Sequence, residues 1–163
     1  AAVTKSKGLG LEFGCGVGRM SKPLIEEGHC VVGVDASATM RGFANQEAMG
    51  EQFAAISPAM LEQLISGGVQ FDLALSVWVL QHCFDLAEDA GKIIRALKSG
   101  GGWLVVDMNH RAVPTDEGWV HDGNDVFAYL SQSLTLVAKY RFDLAGAPAN
   151  LRENAWIGYF TKP

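Results

Sequence analysis

No Cys-x-x-Cys pair occurs in this chain. Its three cysteines, Cys15, Cys30 and Cys83, are odd in number and widely separated, which excludes a disulfide framework and a zinc site built on clustered thiolates. They read as reduced thiols of a cytoplasmic protein, and no metal site is expected. Runs of about 18 apolar residues are also absent and no signal peptide opens the sequence, so neither membrane spanning nor export is expected. Positive charge is in the minority: 13 Lys and Arg stand against 18 Asp and Glu, a formal net charge of -5. A broad basic face is thereby excluded, and with it strong nonspecific attraction to nucleic acid or an anionic membrane. Internal repeats are missing as well.

What is present describes one ordinary globular domain over residues 1–163, with 48% hydrophobic and 19% charged residues, long enough to bury a core. Strand-like and helix-like patterns alternate with short breaks, the order of βα units on a parallel sheet. “GLGLEF” reads as a first strand, followed by a glycine turn and a helix over Met20 to Glu27 that Gly28 closes, with Pro23 near its first turn, where a missing N–H is tolerated. “HCVVGVD” is a short apolar second strand, with Ser37 placed to cap the next helix. “QFAAI” is a third strand, and “FDLALSVWVL” a fourth that runs to Gln81 and His82. After it, Leu86, Ala90, Ile93, Ile94 and Leu97 recur at helical spacing and predict one apolar face against the sheet. “LKSGGGWLVVD” turns through Gly100 to Gly102 into a fifth strand ending at Asp107. Beyond a loop and a short helix near Asp125 to Ser131, “LTLVAKYRFDL” and “ENAWIGYFTKP” alternate like an antiparallel hairpin, joined by a turn containing Gly146 and Pro148.

The stretch “LEFGCGVGR” carries the chemistry. A dinucleotide fingerprint, GxGxxG, places its third glycine where helix and strand pack beside a pyrophosphate. Here that place is Arg19, and the glycines are Gly14, Gly16 and Gly18, with Glu12 two residues before the first. Such a turn brings backbone close to a ligand beside a fixed carboxylate, which suits a ligand carrying positive charge better than one carrying two phosphates. S-adenosyl-L-methionine, with its ammonium and sulfonium, is such a ligand. Asp35 follows Gly14 by 21 residues at the end of the second strand, where an acid accepts hydrogen bonds from the hydroxyls of an adenosine ribose. That spacing is shared by nicotinamide cofactors and does not separate the two.

With these residues in order the chain resembles the class I S-adenosylmethionine-dependent methyltransferases, over nearly everything from Gly8 to Pro163. “LEFGCGVGR” is similar to their first motif, “VVGVDASATM” to their second strand and turn, “FDLALSVWVLQH” to their fourth strand and “LKSGGGWLVVD” to the lead-in of their fifth. The resemblance implies an α/β fold, a three-layer Rossmann-like sandwich around a mostly parallel seven-stranded sheet with an antiparallel C-terminal hairpin. It also implies roles. Glu12 and the backbone from Gly14 through Cys15 and Gly16 to Gly18 would lie along the methionine part, and Asp35 would hold the ribose. Ala36 and Met40 would pack against adenine, Ser57 stands where the family often has an aspartate for the adenine amino group, and Ser76, Val77 and Trp78 would line the floor under the sulfonium.

Trp78 and Trp103 also read as core aromatics of half-buried strands, and His29 and His121 as surface residues. His82, and after it His110 and Arg111, stand at the carboxyl end of the sheet, where ligands of open α/β sheets bind. A hydroxyl acceptor calls for a general base, and His82, His110 and Asp107 are the groups to supply it. The short acidic loop “MNHRAVPTDEGWVHDGND” favours a small-molecule acceptor over a nucleic acid. Because the chain starts at Ala1, close ahead of the first strand, a lid segment common before that strand in the family is expected to be missing, with weak cofactor binding and slow transfer as the result. Two other readings stay open: a binding domain without turnover, and an NAD(P)-dependent oxidoreductase.

Overall fold

The structure, a computed structural model, describes residues 8–46 and 50–163; the expectation about a lid ahead of the first strand lies outside the described residues. β1 (Leu9–Phe13), β2 (Cys30–Val34), β3 (Phe53–Ile56), β4 (Phe71–Val77) and β5 (Leu97–Met108) run parallel. β8 (Thr135–Arg141) and β9 (Ala155–Thr161) complete a seven-stranded sheet of order β3-β2-β1-β4-β5-β9-β8, with β9 antiparallel to both of its neighbours. This is the predicted α/β sandwich. The chain winds outward from β1 to β3 and then returns to β4 on the other side of β1. The resulting switch point opens a crevice at the carboxyl ends of β1 and β4, the place where open α/β sheets bind ligands.

Alternation along the strands decides what faces where. Leu11, Ala74, Trp103 and Phe160 are register partners across β1, β4, β5 and β9 and form one buried row. Against this face pack Leu61 of α3 (Pro58–Ser66), Leu86, Ala90, Ile93 and Ala96 of α4 (Leu86–Ala96), and Val126 and Leu130 of α5 (Val126–Leu130). The opposite face carries the next row, Glu12, Leu75, Leu104 and Tyr159. On that side Ala44 of α2 (Ala38–Gln46) meets Cys15 and Ala55. α1 (Ser21–Glu26) connects β1 to β2. Caps form where short polar side chains were available: Ser57, Asp85 and Asp125 accept the N–H groups of Met60, Glu88 and Ala128.

Several expectations are corrected. β4 stops at Val77, because Trp78 takes a left-handed φ of 59° and Leu80–His82 then forms a 3-10 turn. α4 ends at Ala96, and Leu97, although in helical register with its apolar face, already opens β5. The connection between β8 and β9 holds a short helix, α6 (Ala149–Asn154), in addition to the turn at Gly146. The loop after β5 also holds two short strands, β6 (Val113–Thr115) and β7 (Gly118–Val120), which pair as a small separate ribbon. His29 is buried, not superficial, and its Nδ1 accepts the N–H of Gly8 at 3.2 Å.

Candidate active site

The glycine turn after β1 is held by its neighbours on both sides. Gly14 and Cys15 both donate N–H to the carbonyl of Val34, at 2.7 and 2.9 Å, which ties the turn to the end of β2. Gly14 has φ 76°, and a Cβ there would overlap the Val79 side chain behind β4. Gly16 differs: its φ is 53°, yet a Cβ would meet nothing within 4 Å, so its bare backbone borders open space. Asp35 joins this turn to the next one. One carboxylate oxygen accepts the Gly16 N–H at 2.9 Å and the other the Ser37 N–H at 2.8 Å, leaving each oxygen a lone pair for a further donor. Arg41 braces the same loop by donating to the carbonyls of Asp35 and Ala36.

Two lobes of a cleft flank this turn and share Gly14, Val77 and Trp78. One, of about 490 Å³, lies over Asp35, Ala36, Pro58, His82 and Phe84. The other, of about 700 Å³, is bordered by Glu12, Cys15, Gly16, Arg19, Met40, Phe142 and Leu144. Both volumes fall in the range of small-molecule sites. Trp78 forms the ridge between them, its ring edge-to-face with Phe142 at 5.1 Å between centroids.

Burial sets the electrostatics. Glu12 sits in an apolar row of the sheet and accepts the Ser21 hydroxyl; desolvation pushes its carboxyl up to about 7. Cys15 is buried beside Glu12 and Asp35, and its thiol is pushed up to about 12, chiefly by desolvation, so it stays protonated and inert.

The expected site residues fall into two groups. Glu12, Gly14, Cys15, Gly16, Asp35, Ala36, Met40, Val77, Trp78 and His82 all border the cleft, although Met40 stands in the lobe with Glu12 and not in that with Ala36. Gly18 shapes the turn behind, with φ 81° and its N–H on the Cys15 carbonyl. Ser76, Ser57, Asp107 and His110 are outside the cleft lining. Alternation turns Ser76 to the opposite face, where it accepts the Trp103 indole N–H at 3.0 Å. Ser57 spends its hydroxyl on capping α3. Asp107 is fully buried on the Trp103 side and accepts the N–H groups of Gln81 and Met108, while desolvation raises its carboxyl to about 6. His110 is exposed and stacks edge-on with His121. Pro58, Phe84, Phe142 and Leu144 were not foreseen as lining residues. Only the packing of distant segments brings them here, and no local pattern marks them.

Arg111, a rim candidate by sequence, is a buried staple. Its guanidinium donates to the carbonyls of Leu80 and Cys83 and pairs with Asp122 at 2.9 Å, fastening the loop that carries β6 and β7 to the 3-10 turn. Arg111→Met strips the donor from the Cys83 carbonyl, leaves the Leu80 carbonyl only the long 3.4 Å bond from the Cys83 N–H, and is expected to destabilise the fold by about 2–4 kcal/mol, read from urea denaturation.

The fold, with the family match that follows, identifies a Rossmann-like, class I S-adenosylmethionine-dependent methyltransferase domain. A family model described as “Methyltransferase domain” matches residues 11–106, and the chain belongs to that family. It is 33% identical over 101 residues to the ubiquinone biosynthesis O-methyltransferase of Caulobacter vibrioides, covering 61% of this chain and 40% of that protein. Against the same-named protein of Chelativorans sp. it is 34% identical over 100 residues, again 61% and 40% of the two chains. The chain thus spans about 40% of the length of these relatives. Its fold is similar to that of N-methyltransferase NodS from Bradyrhizobium japonicum in complex with S-adenosyl-L-homocysteine, with a TM-score of 0.73, 18% identity and coverage of 97% and 80%. The geranyl diphosphate C-methyltransferase of Streptomyces coelicolor is likewise similar, with a TM-score of 0.72, 14% identity and coverage of 96% and 76%. Among the described residues no helix is long and apolar enough to cross a membrane.

Proposed function

We propose that this chain, as a single domain over residues 1–163, binds S-adenosyl-L-methionine across the switch point and serves methyl transfer to an oxygen of a small-molecule acceptor. The observation that carries this reading is the turn at Gly16, whose backbone faces open space between the buried carboxyl of Glu12 and the doubly anchored carboxylate of Asp35. That cradle fits an adenosyl amino acid: Glu12 for the ammonium, Asp35 for the ribose hydroxyls, and the lobe beside Ala36 and Pro58 for adenine. The bound cofactor supplies a methyl group on a sulfonium, open to in-line displacement.

The chain itself contributes alignment, the larger effect, and proton removal, the smaller one. His82 borders the cleft with Nδ1 at 2.6 Å from the Ala112 carbonyl, which places the proton on Nδ1 and makes Nε2 the acceptor. The Gln81 side-chain amide donates to Nε2 at 2.9 Å, so His82 serves as base for an acceptor hydroxyl that displaces this amide. The names of the curated relatives, O-methyltransferases of ubiquinone biosynthesis, support a small molecule and an oxygen atom. The net charge of -5 supports neither nucleic acid nor membrane as partner, and the free thiols of Cys15, Cys30 and Cys83 fit the cytoplasm.

Calorimetric titration with S-adenosylhomocysteine, NAD and NADP tests the binding half; failure of S-adenosylhomocysteine to bind sinks the proposal. A methyl-release assay over a panel of phenolic acceptors then separates turnover from binding alone. Within that experiment Asp35→Ala is expected to fold and to lose about tenfold or more in affinity, because hydrogen bonds to a charged group contribute about 1.5–3 kcal/mol each. Unchanged affinity would remove Asp35 from the site.

A further inference from the structure

The position that a dinucleotide fingerprint reserves for its third glycine is occupied here by Arg19, and its side chain is exposed and borders the larger lobe together with Glu12 and Gly16. Glu12 and Arg19 are the only acid and the only base among the residues that line this lobe; the rest of its wall is glycine, apolar side chains and the protonated thiol of Cys15. The two charges do not pair with each other. Glu12 is engaged by the Ser21 hydroxyl, and Arg19 makes no side-chain hydrogen bond or ion pair among the described residues, whose salt bridges all lie elsewhere. A cation and a carboxyl held apart in an otherwise apolar chamber complement a ligand group that carries one charge of each sign. A diphosphate would meet a single cation and an opposing acid.

We infer that Arg19 receives the α-carboxylate of the cofactor's amino-acid end while Glu12 receives its ammonium, so that the turn selects a zwitterion. This rests on the reading of the site as one for S-adenosyl-L-methionine. Guanidinium suits the task because its planar fork meets a carboxylate in a bidentate manner, which a lysine ammonium does not. The turn tolerates a bulky residue after its third glycine because Arg19 is exposed at the border of the lobe.

Two probes separate this role from a general effect on the turn: S-adenosylhomocysteine, and 5′-deoxy-5′-(3-aminopropylthio)adenosine, which keeps the ammonium and lacks the carboxylate. Calorimetry with the 163-residue protein is expected to show the wild type preferring S-adenosylhomocysteine by about tenfold or more. Arg19→Ala is expected to erase that preference by weakening S-adenosylhomocysteine alone, with the decarboxylated probe changed by less than about twofold, and Arg19→Lys to retain part of it. Equal weakening of both probes by Arg19→Ala would make Arg19 a structural residue of the turn, and no weakening of either would remove it from the site; both outcomes overturn the inference. A wild type that binds neither probe overturns the cofactor reading itself and is recognised as such before any variant is measured.

Discussion

Glu12→Gln is expected to raise the stability of the ligand-free protein at pH 8 and to weaken its hold on S-adenosylhomocysteine. The carboxyl of Glu12 is raised from 4.5 to about 7 in the fold, first by desolvation and against the opposing Ser21 hydrogen bond. A raised carboxyl makes its stabilising contribution in the protonated state. That contribution is complete below pH 4.5, where both folded and unfolded chains are protonated, and is lost as pH rises through about 7. Above that pH the folded protein carries a poorly solvated carboxylate at a cost of about 1–3 kcal/mol. Asp107, raised from 3.8 to about 6, adds a loss of the same sign at lower pH. Glutamine removes the Glu12 part alone. The variant should therefore melt at the same temperature as the wild type at pH 4 and higher at pH 8, by about 2–4 °C per kcal/mol. Binding should move the other way. An ionised Glu12 attracts the ligand ammonium, so wild-type affinity should climb as pH passes through 7, and the variant should lose that climb together with about tenfold in affinity at pH 8. Equal melting temperatures at pH 8, or a pH profile unchanged by the substitution, would show that Glu12 is not the titrating carboxyl of the site.

The second large effect is expected from Gly16→Val. Nothing stands within 4 Å of a Cβ at this position, so the folded protein has room for the side chain, and the cost to stability is that of a branched residue at φ 53°, about 1–2 kcal/mol. The space it enters is where the ligand would lie against the backbone. Affinity for S-adenosylhomocysteine should then fall by about a hundredfold or more, far beyond the change in stability. Gly14→Ala makes an instructive contrast, because its Cβ would strike Val79 within the protein and damage the fold first. A Gly16→Val protein that still titrates tightly would mean that the turn holds β1 to α1 and nothing else.

These two expectations draw on different kinds of information. The order of strands and helices, the glycine turn, Glu12, Asp35 and the C-terminal hairpin were legible in the sequence because each is written in local spacing: alternation for strands, three-to-four periodicity for α4, and φ-permissive residues where the chain reverses. The family follows from the same letters, since residues 11–106 hold the matching pattern. Other features were decided only by the tertiary structure. Ser76 was placed in the cleft by its neighbours in sequence, but strand alternation turns it to Trp103 on the other face. His29 lies buried against Gly8, and Arg111 closes on carbonyls about thirty residues away. Phe142 and Leu144 reach the cleft because β9 is inserted between β5 and β8, carrying the end of β8 back over Trp78. Local spacing sets backbone conformation and which side chains share a face. Whether a given charge is buried, paired or left open to a ligand depends on partners far along the chain, and these meet only when the sheet has closed.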